Sequence, residues 1–122
     1  MYKNESKIIE QIISHYFEGI FDGNVDMLAA CFHEDAHIYG DIEGAQYKKS
    51  IQEYLKSVET RQSPKELNEA FEMSLISIEL VGNIAMAKTR VPILGKNYYD
   101  YLSLAKFDDQ WKIVNKIFTH VA

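Results

Sequence analysis

The chain has 122 residues, the length of one ordinary domain, and residues 1–122 are therefore predicted to form a single domain. Apolar residues make up 47% of the chain and charged residues 25%, which is typical of a globular protein with a buried core and excludes a disordered one. With 13 basic against 18 acidic residues the net charge is −5, which argues against nucleic acid as a partner, and the one cysteine, Cys31, excludes an internal disulfide.

The first part of the chain is predicted to form two helices. Apolar residues from Ile8 to Phe21 recur at three- and four-residue steps over four turns, as on the buried face of an amphipathic helix. Gly23 is suited to end this helix, because glycine adopts the left-handed conformation without strain. Asn24 then suits the N-cap of a second, short helix over Val25 to about Phe32.

One strand and a third helix follow. Apolar and polar residues alternate from Ala36 to Ile42, which predicts a strand that ends at the turn Glu43-Gly44. A helical stripe from about Lys48 to Thr60 predicts the third helix, and the polar residues from Arg61 to Asn68 indicate a connection.

The remainder is predicted to be four strands joined by short turns. The apolar parity of the first strand switches between Leu75 and Ile76, which is what a β-bulge produces. Helices that come early, followed by a meander of strands, indicate an α+β fold with an antiparallel sheet and the order α-α-β-α-β-β-β-β. The four predicted strands are Phe71–Val81, Ile84–Leu94, Tyr98–Phe107 and Gln110–Thr119.

Apolar residues on both sides of the last strand predict a second subunit. By simple alternation Trp111, Ile113 and Ile117 fall on one face, and Val114 and Phe118 fall on the other. A sheet that is covered on one side only should alternate between apolar and polar residues. One face is therefore expected to meet the helices, and the other to form a homodimer through the sheet face.

Four segments carry a resemblance to a known superfamily. The order of elements resembles that of the nuclear-transport-factor-2-like superfamily, a cone of three helices wrapped in a curved sheet, and within it the chain is similar to the family called putative lumazine-binding proteins. The resemblance implies a cavity at the mouth of the cone, between the first and third helices and the concave face of the sheet. Members of the superfamily include isomerases, dehydratases, cyclases, epoxide hydrolases, and binding or scaffold modules. The segments are Tyr16–Ile20, Phe32–Ala36, Tyr99–Leu102 and Trp111–Lys116.

Tyrosines are the leading candidates to line this implied cavity, because a phenol combines apolar area with one hydrogen-bonding group. We expect Tyr16, Tyr39, Tyr54 and Tyr101 to contact a small apolar or aromatic ligand. Ketosteroid isomerase, another member of the superfamily, has its oxyanion-hole tyrosine on the first helix, and the resemblance places Tyr16 at that position.

The other two catalytic positions of that isomerase are not matched. Its general-base aspartate falls on Gly40, one residue before Asp41, and its oxyanion-hole aspartate falls on Ser103. Ketosteroid isomerase chemistry is therefore not expected. If the cavity does chemistry, His37 and Asp41 are the predicted polar pair beside Tyr16, since a histidine near a carboxylate can act as a general base. A polar strand side that faces solvent is the alternative interpretation.

Polar residues on the last two predicted strands need a separate interpretation. Asp100 shares a predicted strand face with Tyr98 and Leu102, and a carboxylate inside a protein needs a partner, so we expect a structural ion pair with Lys116 on the adjoining strand. A catalytic acid is the alternative for Asp100. By the same alternation, Asn115 lies on the opposite face of the strand from Lys116, the face that carries Trp111.

No metal or cofactor is predicted. Residues His33, Glu34, Asp35 and His37 are of the types that ligate zinc or iron, but their spacing matches no helix-borne ligand pair. The glycines are scattered at turns and form neither a phosphate-binding loop nor a dinucleotide fingerprint.

The sequence thus predicts a domain that binds a small molecule. The alternatives are a cofactor-free isomerase, dehydratase or hydrolase that uses general acid–base catalysis, and a module that serves only in assembly. A lone cysteine fits a reducing compartment, and the apolar runs are far shorter than the roughly 20 residues that cross a bilayer. We therefore expect a cytoplasmic protein with no membrane partner.

Overall fold

Three helices and a six-stranded sheet make up the computed structural model, which describes residues 4–122. The α+β class is therefore confirmed. In chain order the elements are α1 (Glu5–Asp22), α2 (Val25–Cys31), β1 (Phe32–Ile42), β2 (Ala45–Ser50), α3 (Ile51–Thr60), β3 (Ser74–Val81), β4 (Ile84–Ile93), β5 (Lys96–Phe107) and β6 (Gln110–Val121).

The sheet is mixed, and the prediction of an antiparallel sheet was wrong in this respect. Its strand order is β2-β1-β6-β5-β4-β3, and β1 runs parallel to β6 while every other neighbouring pair is antiparallel. Alternation within a strand reports which side is buried and carries no information about the direction of its neighbour. The pairing of the first strand with the last could therefore not be read from the pattern.

The predicted order also lacked one strand, β2. The prediction began the third helix at Lys48, whereas the chain forms an antiparallel hairpin with β1 first and starts α3 at Ile51. The turn Glu43-Gly44 takes positive φ at both residues, 52° and 84°, which is the geometry of a tight hairpin. Ser50 then closes a capping box with Glu53, and this sets the start of the helix.

The first helix, α1, begins one turn before its apolar stripe, and the second, α2, begins at its predicted cap. The side chain of Asn4 accepts a hydrogen bond from the Lys7 backbone N–H at the start of α1, and Gly23 ends this helix with a φ of 68°. Asn24 caps α2 in the same manner. The second helix ends at Cys31, one residue before the predicted end at Phe32. Phe32 and the charged residues after it belong to β1.

β-Bulges decide which residues of the sheet face the helices. The pairing of β3 with β4 shifts between Leu75 and Ser77, which confirms the bulge predicted from the parity switch. A second bulge lies in β6, where Asn115 pairs with Ser103 and Ile113 with Leu104, so that Val114 is the extra residue.

The bulge at Val114 overturns the predicted faces of β6. Trp111 and Ile113 are buried before it, and Lys116 and Phe118 are buried after it, while Ile117 is exposed. Ile117 therefore does not share a face with Trp111 and Ile113. One extra residue reverses the side on which all later residues point.

The core lies between α1, α3 and the inner face of the sheet, which is the face that carries Ala36 and Ile38 of β1 and Leu102 and Leu104 of β5. Residues that alternate with these point to the outer face. Among the helices of residues 4–122, none has the length and apolar character that crossing a membrane requires.

Candidate functional site

A cleft opens between α1, α3 and the inner face of the sheet. Its interior offers about 60 Å³ of space to the centre of a water-sized molecule, and the total empty space including the open mouth is about 450 Å³. Its walls are mostly apolar, and a small number of polar groups converge on it, which is the usual composition of a small-molecule site. The lining residues are Ile20, Ile42, Tyr47, Tyr54, Arg61, Val91, Ile93, Leu94, Tyr98, Asp100, Lys116 and Phe118.

Four buried polar side chains form a cluster at the bottom of this cleft, named here the floor cluster: Tyr16, Tyr54, Asp100 and Lys116. Tyr16 of α1 donates a hydrogen bond of 2.5 Å from its hydroxyl to Oδ2 of Asp100 in β5. Lys116 Nζ lies 3.9 Å from the same carboxylate oxygen, and it donates a hydrogen bond of 3.1 Å to the hydroxyl of Tyr54 in α3. Exposure is 1% for Asp100 and 6% for Lys116, so water does little to screen the pair.

Aromatic rings surround the ammonium group of Lys116. Its Nζ lies 4.6 Å from the ring centre of Tyr54, 5.2 Å from that of Tyr16 and 5.5 Å from that of Phe118. Ring faces attract a cation within about 6 Å, and more so where water is excluded. The rings and Asp100 together compensate for the lost hydration of this buried charge.

The pKa values of the floor cluster follow from its burial and its charges. Burial raises the pKa of Tyr16 well above 10.0, and the negative charge of Asp100 raises it further, while Arg61 opposes the rise. For Lys116, burial is the largest single influence and lowers the pKa, but the attraction of Asp100 and the interactions with Tyr54 together outweigh it, and the net shift is upward. Lys116 is therefore a stable ammonium ion and Tyr16 a stable neutral phenol at neutral pH.

The cleft has more hydrogen-bond donors than acceptors to receive them. The Tyr54 hydroxyl accepts from Lys116, and within residues 4–122 no acceptor is found for its own proton. Of the three N–H donors of the Lys116 ammonium, one is used by Tyr54. The Nε of Arg61 is buried and has no hydrogen-bond partner within the described residues. Buried donors normally have partners, so the cleft is prepared for a molecule that brings acceptors.

One buried hydroxyl lies beside the floor cluster without a partner. Thr89 of β4 stands opposite Asp100 in the pairing of β4 with β5, and the Oγ1 of Thr89 makes no hydrogen bond within residues 4–122. An unsatisfied buried hydroxyl costs free energy and is rare in folded proteins, so its position beside the floor cluster is consistent with a functional site there.

Gly40 and Phe118 close one wall of the cleft. The resemblance to ketosteroid isomerase placed a general base at Gly40, but a Cβ there would lie 2.4 Å from the ring of Phe118, so the ring occupies the space of any side chain. The resemblance placed the isomerase's oxyanion-hole aspartate at Ser103, which lies on the outer face and pairs with Asn115. The inward carboxylate is Asp100, three residues earlier, and it contacts Tyr16 directly.

The structure separates the predicted tyrosines into two groups. Tyr54 lines the cleft and Tyr16 lies directly beneath it in the floor cluster. Tyr39 and Tyr101 do not line the cleft, because they point to the outer face of the sheet and are partly exposed. Tyr101 there lies near Lys88, whose Nζ is 6.0 Å from its ring centre.

The predicted acid–base pair also lies on the outer side of β1, away from Tyr16. His37 is exposed, and its Nδ1 is 3.0 Å from the backbone carbonyl oxygen of Asp35. Asp41 accepts a hydrogen bond from the Gly44 backbone N–H and so supports the hairpin turn. Alternation along β1 correctly groups these side chains, but it does not tell which side of the strand faces the helices.

The two cationic side chains of the cleft, Arg61 and Lys116, were not predicted as site residues, and the reasons differ. Arg61 lies directly after α3 in a stretch that was interpreted as a polar connection, and no motif distinguishes it. Lys116 was expected to pair with Asp100, and the two do lie together, but the bulge at Val114 concealed that both face the cleft. Within residues 4–122, no three His, Cys, Asp or Glu side chains lie close enough together to hold a metal ion.

Comparison with known proteins gives matches over most of the chain. The family described as putative lumazine-binding matches residues 4–119. The aldolase FrzH from a Cladobotryum species is 30% identical over 105 residues, which cover 84% of this chain and 81% of that protein.

Solved structures with the same fold cover the whole chain. A nuclear-transport-factor-2-like protein of unknown function from Methylobacillus flagellatus KT has a TM-score of 0.88 and 22% identity, covering 100% of this chain and 96% of its own. A second one, from Shewanella baltica OS155, has a TM-score of 0.86 and 23% identity, covering 100% and 98%. The nuclear-transport-factor-2-like fold that the sequence resemblance implied is therefore confirmed.

Proposed function

The chain belongs to the putative lumazine-binding family, and on this premise we propose that it binds a small, planar or aromatic molecule that carries oxygen acceptors. The binding site is the cleft between α1, α3 and the sheet. The observation that carries the proposal is the set of unused donors on Tyr54, Lys116 and Arg61, all of which line this cleft. A ligand oxygen that receives these donors removes an existing desolvation cost.

The walls of the cleft suit a flat ligand body. Phe118 packs edge-on against Tyr47 and Tyr98, with ring centres 5.2 Å and 5.7 Å apart. Ile93 at the end of β4 and Leu94 in the turn after it add aliphatic surface. Rings held in this way offer apolar area at a low cost in conformational entropy, and they leave the polar contacts to fix the ligand's orientation.

Lumazine itself is a suitable first probe, because it is a planar bicyclic molecule with two carbonyl oxygens. We expect lumazine, or a flavin or aromatic carbonyl compound from the same panel, to raise the melting temperature of the protein. At a concentration 100 times Kd a ligand stabilises a single site by about 2.7 kcal/mol.

The decisive variant is Tyr54→Phe, which removes a donor and leaves the ring. We expect it to weaken binding of the best probe about tenfold in isothermal titration, since a buried hydrogen bond contributes roughly 1 kcal/mol or more. Tyr101→Phe on the outer face is the matched control and should bind like the wild type. Equal binding by the wild type and Tyr54→Phe would place the ligand elsewhere, and a panel without any hit would favour a module that serves only in assembly.

A cofactor-free enzyme is the second candidate, and the carboxylate of the floor cluster favours it. Asp100 lines the cleft, and its carboxylate can accept a proton from the carbon beside a ligand carbonyl. The electron pair then moves to the carbonyl oxygen, and Lys116 and Tyr54 stabilise the resulting enolate by donating to it. The 30% identity with an aldolase supports this candidate, because aldol reactions begin with such an enolate.

Deuterium exchange separates catalysis from binding. In D₂O, an enzyme of this type should exchange the hydrogens beside the carbonyl of a bound ketone, which proton NMR detects as a loss of signal. Asp100→Asn should abolish the exchange, while Asp41→Asn on the outer side of β1 should leave it unchanged. Binding without exchange above the rate in buffer would leave the binding module as the function.

A further inference from the structure

Arg61 places a charge on the wall of the cleft that the protein itself does not neutralise. The residue directly follows α3, and its backbone N–H bonds to the carbonyl of Ser57, which fixes the chain at this point. The Nε of its guanidinium is buried without a hydrogen-bond partner within residues 4–122, and Arg61 takes part in none of the ion pairs found there. Arg61 as a whole is half-buried, but a guanidinium N–H that is buried without a partner is costly, so an acceptor from outside is expected to pair with it.

The charges of the cleft add up to one positive unit. Of the residues that line it, Lys116 and Arg61 carry positive charges and Asp100 a negative one. Lys116 already has its counter-ion in Asp100, at 3.9 Å. The remaining positive charge belongs to Arg61, and a ligand with one negative charge would balance it.

Resting on the proposed function, we propose that the ligand is a small monocarboxylate with an apolar or aromatic body, and that Arg61 binds its carboxylate. Guanidinium and carboxylate groups match each other as planar forks that form two parallel hydrogen bonds. A phosphate ester carries close to two negative charges, which exceeds the single unit that the cleft supplies. The body of the ligand then lies against Tyr98, Leu94 and the inner strands, with its far end toward the floor cluster.

The test compares carboxylates with neutral molecules of the same shape. Benzoate and benzamide, and phenylacetate and phenylacetamide, differ in charge at one end and little in size. By isothermal titration or ligand-observed NMR at pH 7, we expect the wild-type protein to bind each acid at least tenfold more tightly than its amide. Raising the salt concentration should reduce this difference only slightly, because the site is partly enclosed.

Two substitutions of Arg61 identify the group responsible. Arg61→Gln should remove the preference for the acid and leave the affinity for the amide almost unchanged. Arg61→Lys keeps the charge but loses the planar fork, so part of the preference should remain. Arg90 is the other arginine of the chain, it bonds to Asn97, and Arg90→Gln is the matched control that should retain the full preference.

The outcomes distinguish this proposal from the one on which it rests. If acids and amides bind equally, or if the preference survives in Arg61→Gln, the assignment of Arg61 is wrong while small-molecule binding in the cleft still stands. If these probes fail to bind but neutral carbonyl compounds such as lumazine bind through Tyr54, the carboxylate class is wrong. If neither set binds, both proposals fail.

Discussion

Tyr16 and Asp100 lie 84 positions apart in the chain, yet their side chains share the shortest contact of the floor cluster. The phenol supplies one of the hydrogen bonds that a buried carboxylate needs, and Lys116 supplies the opposite charge. If Tyr16 loses its hydroxyl, Asp100 keeps its charge but loses a donor. The three groups therefore stabilise the fold as one unit, and their contributions are not additive.

Removal of the Tyr16 hydroxyl should lower stability in a way that depends on pH. For Tyr16→Phe we expect the free energy of unfolding at pH 7 to fall by about 1–3 kcal/mol, the cost of leaving a buried acceptor without its donor. The folded pKa of Tyr16 lies above its ordinary value of 10.0, so its stabilisation is complete below about pH 10 and is lost as the pH rises toward the folded pKa.

Urea denaturation between pH 8 and pH 11.5 tests this. The wild-type protein should lose stability above about pH 10, and in Tyr16→Phe the decline should be less steep by up to about 1.4 kcal/mol per pH unit. Tyr101→Phe on the outer face is the control and should follow the wild type. Parallel curves for the wild type and Tyr16→Phe would show that Tyr16 ionises at its ordinary pKa in the folded state.

The sequence predicted some contacts and positions of single residues correctly and others wrongly. The correct ones did not require knowing which face of the sheet points to the helices. The pairing of Asp100 with Lys116 follows from the rule that a buried carboxylate needs a partner, and that rule does not depend on knowing the face. Tyr39 and Tyr101 were assigned to the cleft by residue type alone, and both lie on the outer face. Arg61 lines the cleft only because of the position of α3, and no local sequence pattern indicates that position.

Among the elements, α3 positions two polar groups of the cleft, Tyr54 and Arg61, and its start is fixed by two reciprocal hydrogen bonds. Ser50 Oγ accepts from the Glu53 backbone N–H at 3.2 Å, and Glu53 Oε1 accepts from the Ser50 backbone N–H at 2.9 Å. Tyr54 lies one turn further on and Arg61 directly follows the helix. The capping box thus determines the register in which both side chains enter the cleft.

Loss of this cap should be measurable. We expect Ser50→Ala to reduce the free energy of unfolding by about 1 kcal/mol in urea denaturation, the usual cost of removing an N-cap side chain. Ser14→Ala, an exposed position in the middle of α1, is the control and should be neutral or slightly stabilising, since alanine is the better helix former. A loss of equal size at both positions would show that the effect is not due to the cap.

The first helix, α1, was predicted well because the repeated apolar stripe and the glycine at its end give independent signals over 18 residues. The strand β2 was missed because it is six residues long and polar at most positions, so that neither alternation nor propensity distinguishes it. The bulge in β6 was missed for a different reason. Asn115 and Lys116 are both polar, so the parity switch at Val114 leaves no apolar trace.

At the scale of the whole molecule, the outer face of the sheet carries an apolar row across three adjacent strands. Tyr39 of β1, Ile117 of β6 and Tyr101 of β5 are direct neighbours in the pairing register. Their exposed fractions are 38%, 50% and 49%. The sequence analysis predicted a homodimer through the sheet face because apolar residues fell on both sides of β6. Since the bulge at Val114 turns Phe118 inward and Ile117 outward, the exposed apolar surface is this row instead.

We expect this row to be covered by a second copy of the chain. In a dimer with two-fold symmetry the same patch lies on both subunits, so Ile117 near the axis would pack on its own copy while each Tyr39 and Tyr101 flanks it. Sedimentation equilibrium at micromolar concentration should then give twice the chain mass of 14.1 kDa. Ile117→Lys places two ammonium groups at the axis and should shift the protein to the monomer, because like charges buried together repel strongly.

The control also replaces an exposed apolar residue by lysine, but outside the row. Val81 lies at the turn between β3 and β4, outside the row, and Val81→Lys should remain a dimer. Far-UV circular dichroism of both variants should match the wild type, which shows that the fold is intact. A mass of 14.1 kDa for the wild-type protein would contradict the homodimer. If Ile117→Lys still sediments as a dimer, the interface lies on another surface.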